Sequence, residues 1–314
     1  MYSIPTSRFV LPLVCIICIS AAASAQHAVV EDAQPTPAFN AHDRIETPAM
    51  SFLVIGDWGG SARELRMLAA TMTARHAQDF CSAVFTTGGN FLDAGVAGMD
   101  DPQWESKFES VFDAAAFPVP FWAVLGMADI KGDADAQIAY SGAGSNRWKM
   151  PARNWSTVFS IGSATLQLRV TGIDTPGLLS ASEGDRARRL AWIDSVLASS
   201  TQDLHLVIGH HPVYSNGRNG NTLGMIRHVK PLLEKHHIDA YVSGRDNDVQ
   251  ILEPVNGVHY LICGASTRVR DSRWTANTRY VSCEPGFLWV QIGADAILVQ
   301  VIRNDGRVLY SVRL

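Results

Sequence analysis

The chain has 314 residues, of which 47% are apolar and 18% charged, with a formal net charge of −4. This length buries one large core without requiring several domains. The mildly acidic balance, with no run of clustered Lys and Arg, argues against nucleic acid as a partner, because phosphate backbones are bound by concentrated basic faces.

The first residues carry Arg8 and then an apolar run from Phe9 to Ala23, broken by Ser20 and closing on Ala23-Ser24-Ala25. That pattern is a secretory signal over residues 1–25, with cleavage expected after Ala25. The run is short for a membrane span, and no second stretch of about 18 apolar residues follows, so no span is expected after signal removal. Export would place the protein outside the cell or within the secretory and endolysosomal pathway, where Asn154-Trp155-Ser156 is a glycosylation sequon. Cys81, Cys263 and Cys283 remain after the signal, and their spacing leaves open either a Cys263–Cys283 bridge or three buried thiols. Residues 26–49 are rich in Ala, Pro, Asp and Thr with no apolar period and read as a flexible leader. Order is expected to begin near Met50, with residues 50–314 forming one domain.

Short β-rich runs then alternate with helical patterns. Ser51 to Ile55 reads as a strand, Leu65, Leu68, Ala69 and Met72 fall at helical spacing, and strands follow at Ala83 to Thr86 and Phe121 to Leu125. This βαβαβ opening implies parallel strands with right-handed crossovers. Next come strands near Thr157 to Ile161 and Leu166 to Thr171, a helix around Arg186 to Leu197, and a strand at Leu204 to Ile208. A helical stretch from Leu223 to His236 contains Pro231, which kinks or restarts it. Strands at Ala240 to Ser243 and Tyr260 to Cys263 follow, and Phe287 to Leu314 reads as three strands with an Asp305-Gly306 hairpin turn.

Five of these strands end in glycine-containing loops bearing polar residues, at the strand ends where α/β sheets bind ligands. The loops read Gly56-Asp57-Trp58-Gly59, Gly88-Gly89-Asn90-Phe91-Leu92, Gly126-Met127-Ala128-Asp129, Gly209-His210-His211-Pro212 and Gly244-Arg245-Asp246-Asn247. In order and spacing they resemble the motif blocks GDxG, GDNFY, GNHD, GHxP and GHDH of the calcineurin-like metallophosphoesterases, and most of all those of the purple acid phosphatases. Arg147-Trp148-Lys149-Met150-Pro151, Asp174-Thr175 and Tyr241-Val242-Ser243-Gly244 continue the similarity. The resemblance implies a four-layer α/β/β/α sandwich with two central mixed β-sheets. It also implies two metal ions bridged by a carboxylate, which activate water to hydrolyse a phosphate monoester.

Carried over position by position, that metal site is degenerate. Asp57 and His210 stand where metal ligands belong, each on a different ion. The bridging Asp is Gly89, the Tyr that colours the family is Leu92, and the Asn of GNHD is Met127. The His beside it is Ala128, the two His of GHDH are Arg245 and Asn247, and a further family His falls at Asn219. One strong donor per ion, with an amide from Asn247 at best, does not hold a transition metal, which needs about three converging ligands. The expectation is therefore a pseudophosphatase with no cofactor, or at most a weakly bound divalent ion, acting as a binding protein for an unknown protein or a small anion. The alternative is an acid phosphatase with weak or non-standard metal use, served by an oxygen-only site from Asp93, Asp129, Asp246 and Asp248.

Within the old cleft, Asp57, Asn90, His210, His211, Arg245 and Asn247 are the candidate residues. The Arg245 guanidinium is expected to pair with Asp57, Asp246 or Asp248 and to replace the lost cationic charge. His210 and His211, without a visible orienting partner, read as structural residues before catalytic ones. Cys81, Trp58, Trp148 and Trp155 read as core.

Overall fold

The computed structural model describes residue 1 and residues 28–161 and 166–314. The expected signal sequence lies, apart from Met1, outside the described residues.

The elements in chain order are β1 (Val30–Glu31), β2 (Met50–Ile55), α1 (Ala62–Gln78), β3 (Ala83–Thr86), β4 (Phe121–Trp122), α2 (Ala134–Ala143), β5 (Trp148–Lys149), β6 (Trp155–Ile161), β7 (Leu166–Gly172), α3 (Thr175–Ser180), α4 (Glu183–Ala198) and β8 (Leu204–Ile208). After these come α5 (Leu223–His228), α6 (Lys230–Lys235), β9 (Ala240–Ser243), β10 (Val249–Leu252), β11 (His259–Cys263), β12 (Ser272–Arg273), β13 (Thr278–Ser282), β14 (Gly286–Ile292), β15 (Ile297–Arg303) and β16 (Val308–Arg313).

Two seven-stranded sheets result, ordered β16-β15-β14-β2-β3-β4-β5 and β13-β10-β11-β9-β8-β7-β6. Both are mixed. β2, β3, β4 and β5 run parallel while β14 joins β2 antiparallel, and β7, β8, β9 and β11 run parallel while β6 and β10 flank them antiparallel.

The layering follows from the period of two along a strand. In β2, Phe52 and Val54 face the second sheet, where Leu206, Ile208 and Val242 meet them. Leu53 and Ile55 face the other way, onto Leu65, Leu68 and Met72 of α1. On the far side Val207 and Tyr241 carry Ile193 and Leu197 of α4 and Leu233 of α6. Strands covered on both faces need no polar residues, which explains the unbroken run of buried positions in β2. The four-layer arrangement expected from the resemblance is the one observed.

Several local readings are corrected. Residues 30–49 are docked, not free: β1 pairs in parallel with β12, the ring of Phe39 meets that of Tyr310 at 5.6 Å, Arg313 pairs with Asp43 at 2.6 Å, and the Ala49 amide donates to the Ile292 carbonyl. The strand expected over 121–125 keeps ladder pairing only at Phe121–Trp122. β10 and β13 were not anticipated. The helix expected from 223 is divided at Val229, two residues before Pro231, as proline predicts. Cys263 and Cys283 are not bridged; their thiols donate instead to the carbonyls of Val54 and Val29.

Asp174 shows how a loop residue fixes a helix. Its fully buried carboxylate caps α3 by accepting from the Gly177 amide at 2.8 Å, and it also meets Arg189 at 3.3 Å and Arg153 at 3.7 Å. Asp174→Ala removes the cap and takes the carboxylate partner from Arg189, while Arg153 keeps Asp135, so urea denaturation is expected to show a loss of about 2–3 kcal/mol.

Candidate functional site

The five loops come together at the carboxyl ends of β2, β3, β4, β8 and β9, as the parallel order requires. They border a cleft of about 270 Å³ lined by Asp57, Leu92, Met127, Ala128, His210, Asn219 and Asn247, with Lys131, Arg245, Arg268 and Arg270 around it.

Asp57 is buried at a positive φ of 49°, and one carboxylate oxygen accepts from the backbone amide of Arg245 at 3.0 Å. Burial pushes its pKa up to about 8; the Arg245 amide lowers it, the charge of Asp129 adds to the rise, and Arg268 and Arg270 oppose it. Gly89 sits beside it at φ +68°, and a Cβ there would run into Asp57 Oδ1 and come within 2.9 Å of its Cα. The position from which a bridging acid would reach in is thus closed by Asp57 itself.

His210 is also buried. Its Nδ1 lies 2.9 Å from the Thr87 carbonyl, so that nitrogen carries the proton and Nε2 is left as the free acceptor. Burial lowers its pKa to about 4, opposed by the Thr87 carbonyl and reinforced by Arg245, so the ring is neutral at physiological pH. His211 contacts Thr175 Oγ1 through Nδ1 at 2.9 Å, and its carbonyl accepts from the Tyr241 hydroxyl. It does not line the cleft and serves the loop's packing.

Two expectations fail here. The Arg245 guanidinium makes no ion pair with Asp57, Asp246 or Asp248; the contact with Asp57 runs through the backbone amide. The reason is the left-handed backbone of Arg245, at φ 74°, which turns the amide toward the carboxylate. Asn90 does not face the cleft either. Its amide group donates to the Val124 carbonyl and to Gln137, and its oxygen accepts from Trp58 Nε1 and Thr86 Oγ1, which satisfies the whole side chain inside the scaffold.

Of the acids weighed for an oxygen-only site, Asp129, Asp93 and Asp246 are engaged elsewhere, while Asp248 keeps one buried oxygen without a hydrogen-bond partner among the described residues. Asp129 accepts from the amides of Gly89, Asn90, Phe91 and Gly126 and from Gln137 Nε2, at 2.7–3.2 Å. Asp93 pairs with Arg268 at 2.6 Å, Asp246 accepts from Ser215 and Asn219, and Asp248 accepts from Gln250. Among the described residues no group of three or more His, Cys, Asp and Glu side chains converges as a metal site. The donors present, Asp57 and His210 with the oxygen of Asn247, whose amide nitrogen donates to Gly264, do not fit a binuclear centre.

Of the cleft's cations, sequence reading named Arg245 and missed Lys131, Arg268 and Arg270. Arg245, Arg270 and Lys131 have no carboxylate within 4 Å among the described residues, so their charge faces the opening. The available signal was Arg268-Val269-Arg270, two arginines on one side of a loop that leaves the carboxyl end of β11.

Paired mixed sheets with these five loops at their mouth define a phosphoesterase scaffold, and residues 50–244 match the family described as Calcineurin-like phosphoesterase: the chain belongs to that family. Within it, the chain is similar to tartrate-resistant acid phosphatase type 5 of Homo sapiens, 32% identical over 85% of this chain and 91% of that protein. It is also 28% identical to purple acid phosphatase 3 of Arabidopsis thaliana, over 70% of this chain and 63% of that protein. Among solved structures it superposes on GAP50, described as the anchor in the inner membrane complex of Plasmodium, with a TM-score of 0.78 at 24% identity, covering 84% of this chain and 88% of that one. The purple acid phosphatase PPD1 of yellow lupin follows at a TM-score of 0.62 and 15% identity, covering 85% of this chain and 54% of that one.

Proposed function

We propose that this protein is an exported pseudophosphatase: a binding protein that holds an anionic, phosphate-bearing ligand in the old catalytic cleft and does not hydrolyse it. The observation that carries this reading is the exchange of charge at the site. Where the family places metal cations between acids, this cleft has a glycine at the bridging position and free arginine and lysine side chains at its border. Guanidinium groups bind phosphate oxygens through paired hydrogen bonds and need no metal to do so. The neutral His210, held through Nδ1 by the Thr87 carbonyl, presents Nε2 as a hydrogen-bond acceptor. Binding roles on this scaffold have a parallel in the Plasmodium protein described as an anchor.

The reading includes passage through the secretory pathway and glycosylation at Asn154. That residue is half-buried, and its oxygen accepts from the Asp174 amide at 2.7 Å, which leaves the nitrogen for a glycan. A no-metal site is part of the same proposal.

The test is a titration of purified protein with inorganic phosphate by calorimetry, with elemental analysis and an assay of p-nitrophenyl phosphate hydrolysis across divalent ions. Phosphate is expected to bind without metal, and Arg270→Ala, which removes one charge-assisted contact, is expected to weaken it about tenfold. A second reading, a weakly metal-dependent acid phosphatase, has Asp57 and His210 in its favour, since both stay in the cleft. It takes over if hydrolysis depends on an added ion and is lost in Asp57→Ala.

A further inference from the structure

Beside the cleft lies a second hollow, of about 480 Å³, and the two share their walls. Asn219 lines both. Arg268 and Arg270 line the cleft, while Asp271, Ser272 and Arg273, the next residues of the same segment, line the hollow. The walls are tied to one another: Gly217 and Ser272 form an antiparallel bridge, the Arg273 amide donates to the Asn216 carbonyl, and the Asn219 amide donates to Asp246 at 3.1 Å. A hollow held in this way is formed before any ligand arrives, and its volume suits a small molecule.

The charges of the hollow cancel, with Arg218 and Arg273 standing against Glu31 and Asp271. All four keep spare hydrogen-bonding capacity. Glu31 meets Arg273 Nε through Oε2 at 2.9 Å, and Asp271 accepts from the Val29 amide through Oδ1 at 2.9 Å, so one oxygen of each acid is open among the described residues. The guanidinium of Arg273 is engaged there only through Nε, and Arg218 is exposed with no carboxylate within 4 Å among the described residues. Donors and acceptors in equal number suit hydroxyl groups, each of which both donates and accepts. A second phosphate would be repelled by Glu31 and Asp271, and an apolar ring would cover charged groups without pairing them.

Resting on the anion-binding reading of the cleft, we propose that the ligand is a phosphate monoester of a single sugar ring, with its phosphate among the cleft's guanidiniums and its hydroxyls in the hollow between Arg218 and Asp271.

Calorimetric titration of the purified protein with inorganic phosphate, phenyl phosphate and glucose 6-phosphate tests it. The two esters carry the same phosphate group and differ in what it is attached to. Glucose 6-phosphate is expected to bind about tenfold more tightly than phenyl phosphate, the worth of one or two hydrogen bonds, and phenyl phosphate about as tightly as inorganic phosphate. Arg218→Ala, at an exposed position outside the cleft, should bring glucose 6-phosphate to the affinity of phenyl phosphate and leave inorganic phosphate unchanged. Equal affinity of the unaltered protein for the two esters overturns the sugar site while the cleft still binds phosphate. A preference for glucose 6-phosphate that survives in Arg218→Ala overturns the placement of the sugar in this hollow. If none of the three probes binds, the anion-binding reading of the cleft falls, and the sugar site falls with it.

Discussion

Asp57→Asn is expected to stabilise this protein at pH 7.5, by an amount on the order of 2–4 kcal/mol. The carboxyl is buried, and its pKa is raised from 3.8 to about 8. In the unfolded chain it loses its proton near pH 4, while in the folded protein it keeps the proton to about pH 8. Between those values the folded state binds more protons, so stability falls as pH rises through the window and the penalty is complete above it. An asparagine keeps the oxygen that accepts from the Arg245 amide and removes the titration. The gain should therefore be large at pH 7.5 and close to nil at pH 4, measured by urea denaturation at both. In a protein that bound a cation through this carboxylate, the ion would hold it ionised and the same substitution would cost stability and metal together. A loss at pH 7.5 that is relieved by chelator would refute the metal-free reading.

Removing Asp129, a second buried acid of the loops, should have the opposite sign. Asp129→Ala leaves the amides of Gly89, Asn90, Phe91 and Gly126 and the side chain of Gln137 without their acceptor, all inside the scaffold. Donors left buried and unpaired cost far more than the net value of their bonds, so a loss of about 3–5 kcal/mol is expected. Amide hydrogen exchange should locate it. Protection is expected to drop first at residues 89–91, while the β14-β15-β16 meander keeps its exchange rates. Uniform loosening of both regions would mean that Asp129 acts on global stability alone.

The contrast between these two acids shows what the sequence made legible. Strands such as β2 were readable because both of their faces are buried, so their residues form continuous apolar runs. The loops were readable because their glycines recur at fixed offsets. β10 was hidden by the polar run from Arg245 to Asp248 immediately before it, and β13, Thr-Arg-Tyr-Val-Ser at a sheet edge, has too little apolar pattern to stand out. Within the site, the identity of the lost ligand positions was accessible, but the direction of side chains was not. Arg245 was misplaced because a backbone dihedral, not residue type, decides which of its groups meets Asp57. Asp129 was misread as a possible ion ligand because only the closure of two distant loops around it reveals four amides aimed at its oxygens.

The short parallel pairing of Val30–Glu31 with Ser272–Arg273 has a further implication. The Val29 amide donates to Asp271, and the Ser272 amide donates to the Val29 carbonyl. This clasp holds the far end of the segment that begins with Arg268 and Arg270. A peptidase cut after Ala25 would leave the new terminus only a few residues from it. Trimming the amino end through residues 29–31 would remove these contacts from the segment that carries Arg268 and Arg270.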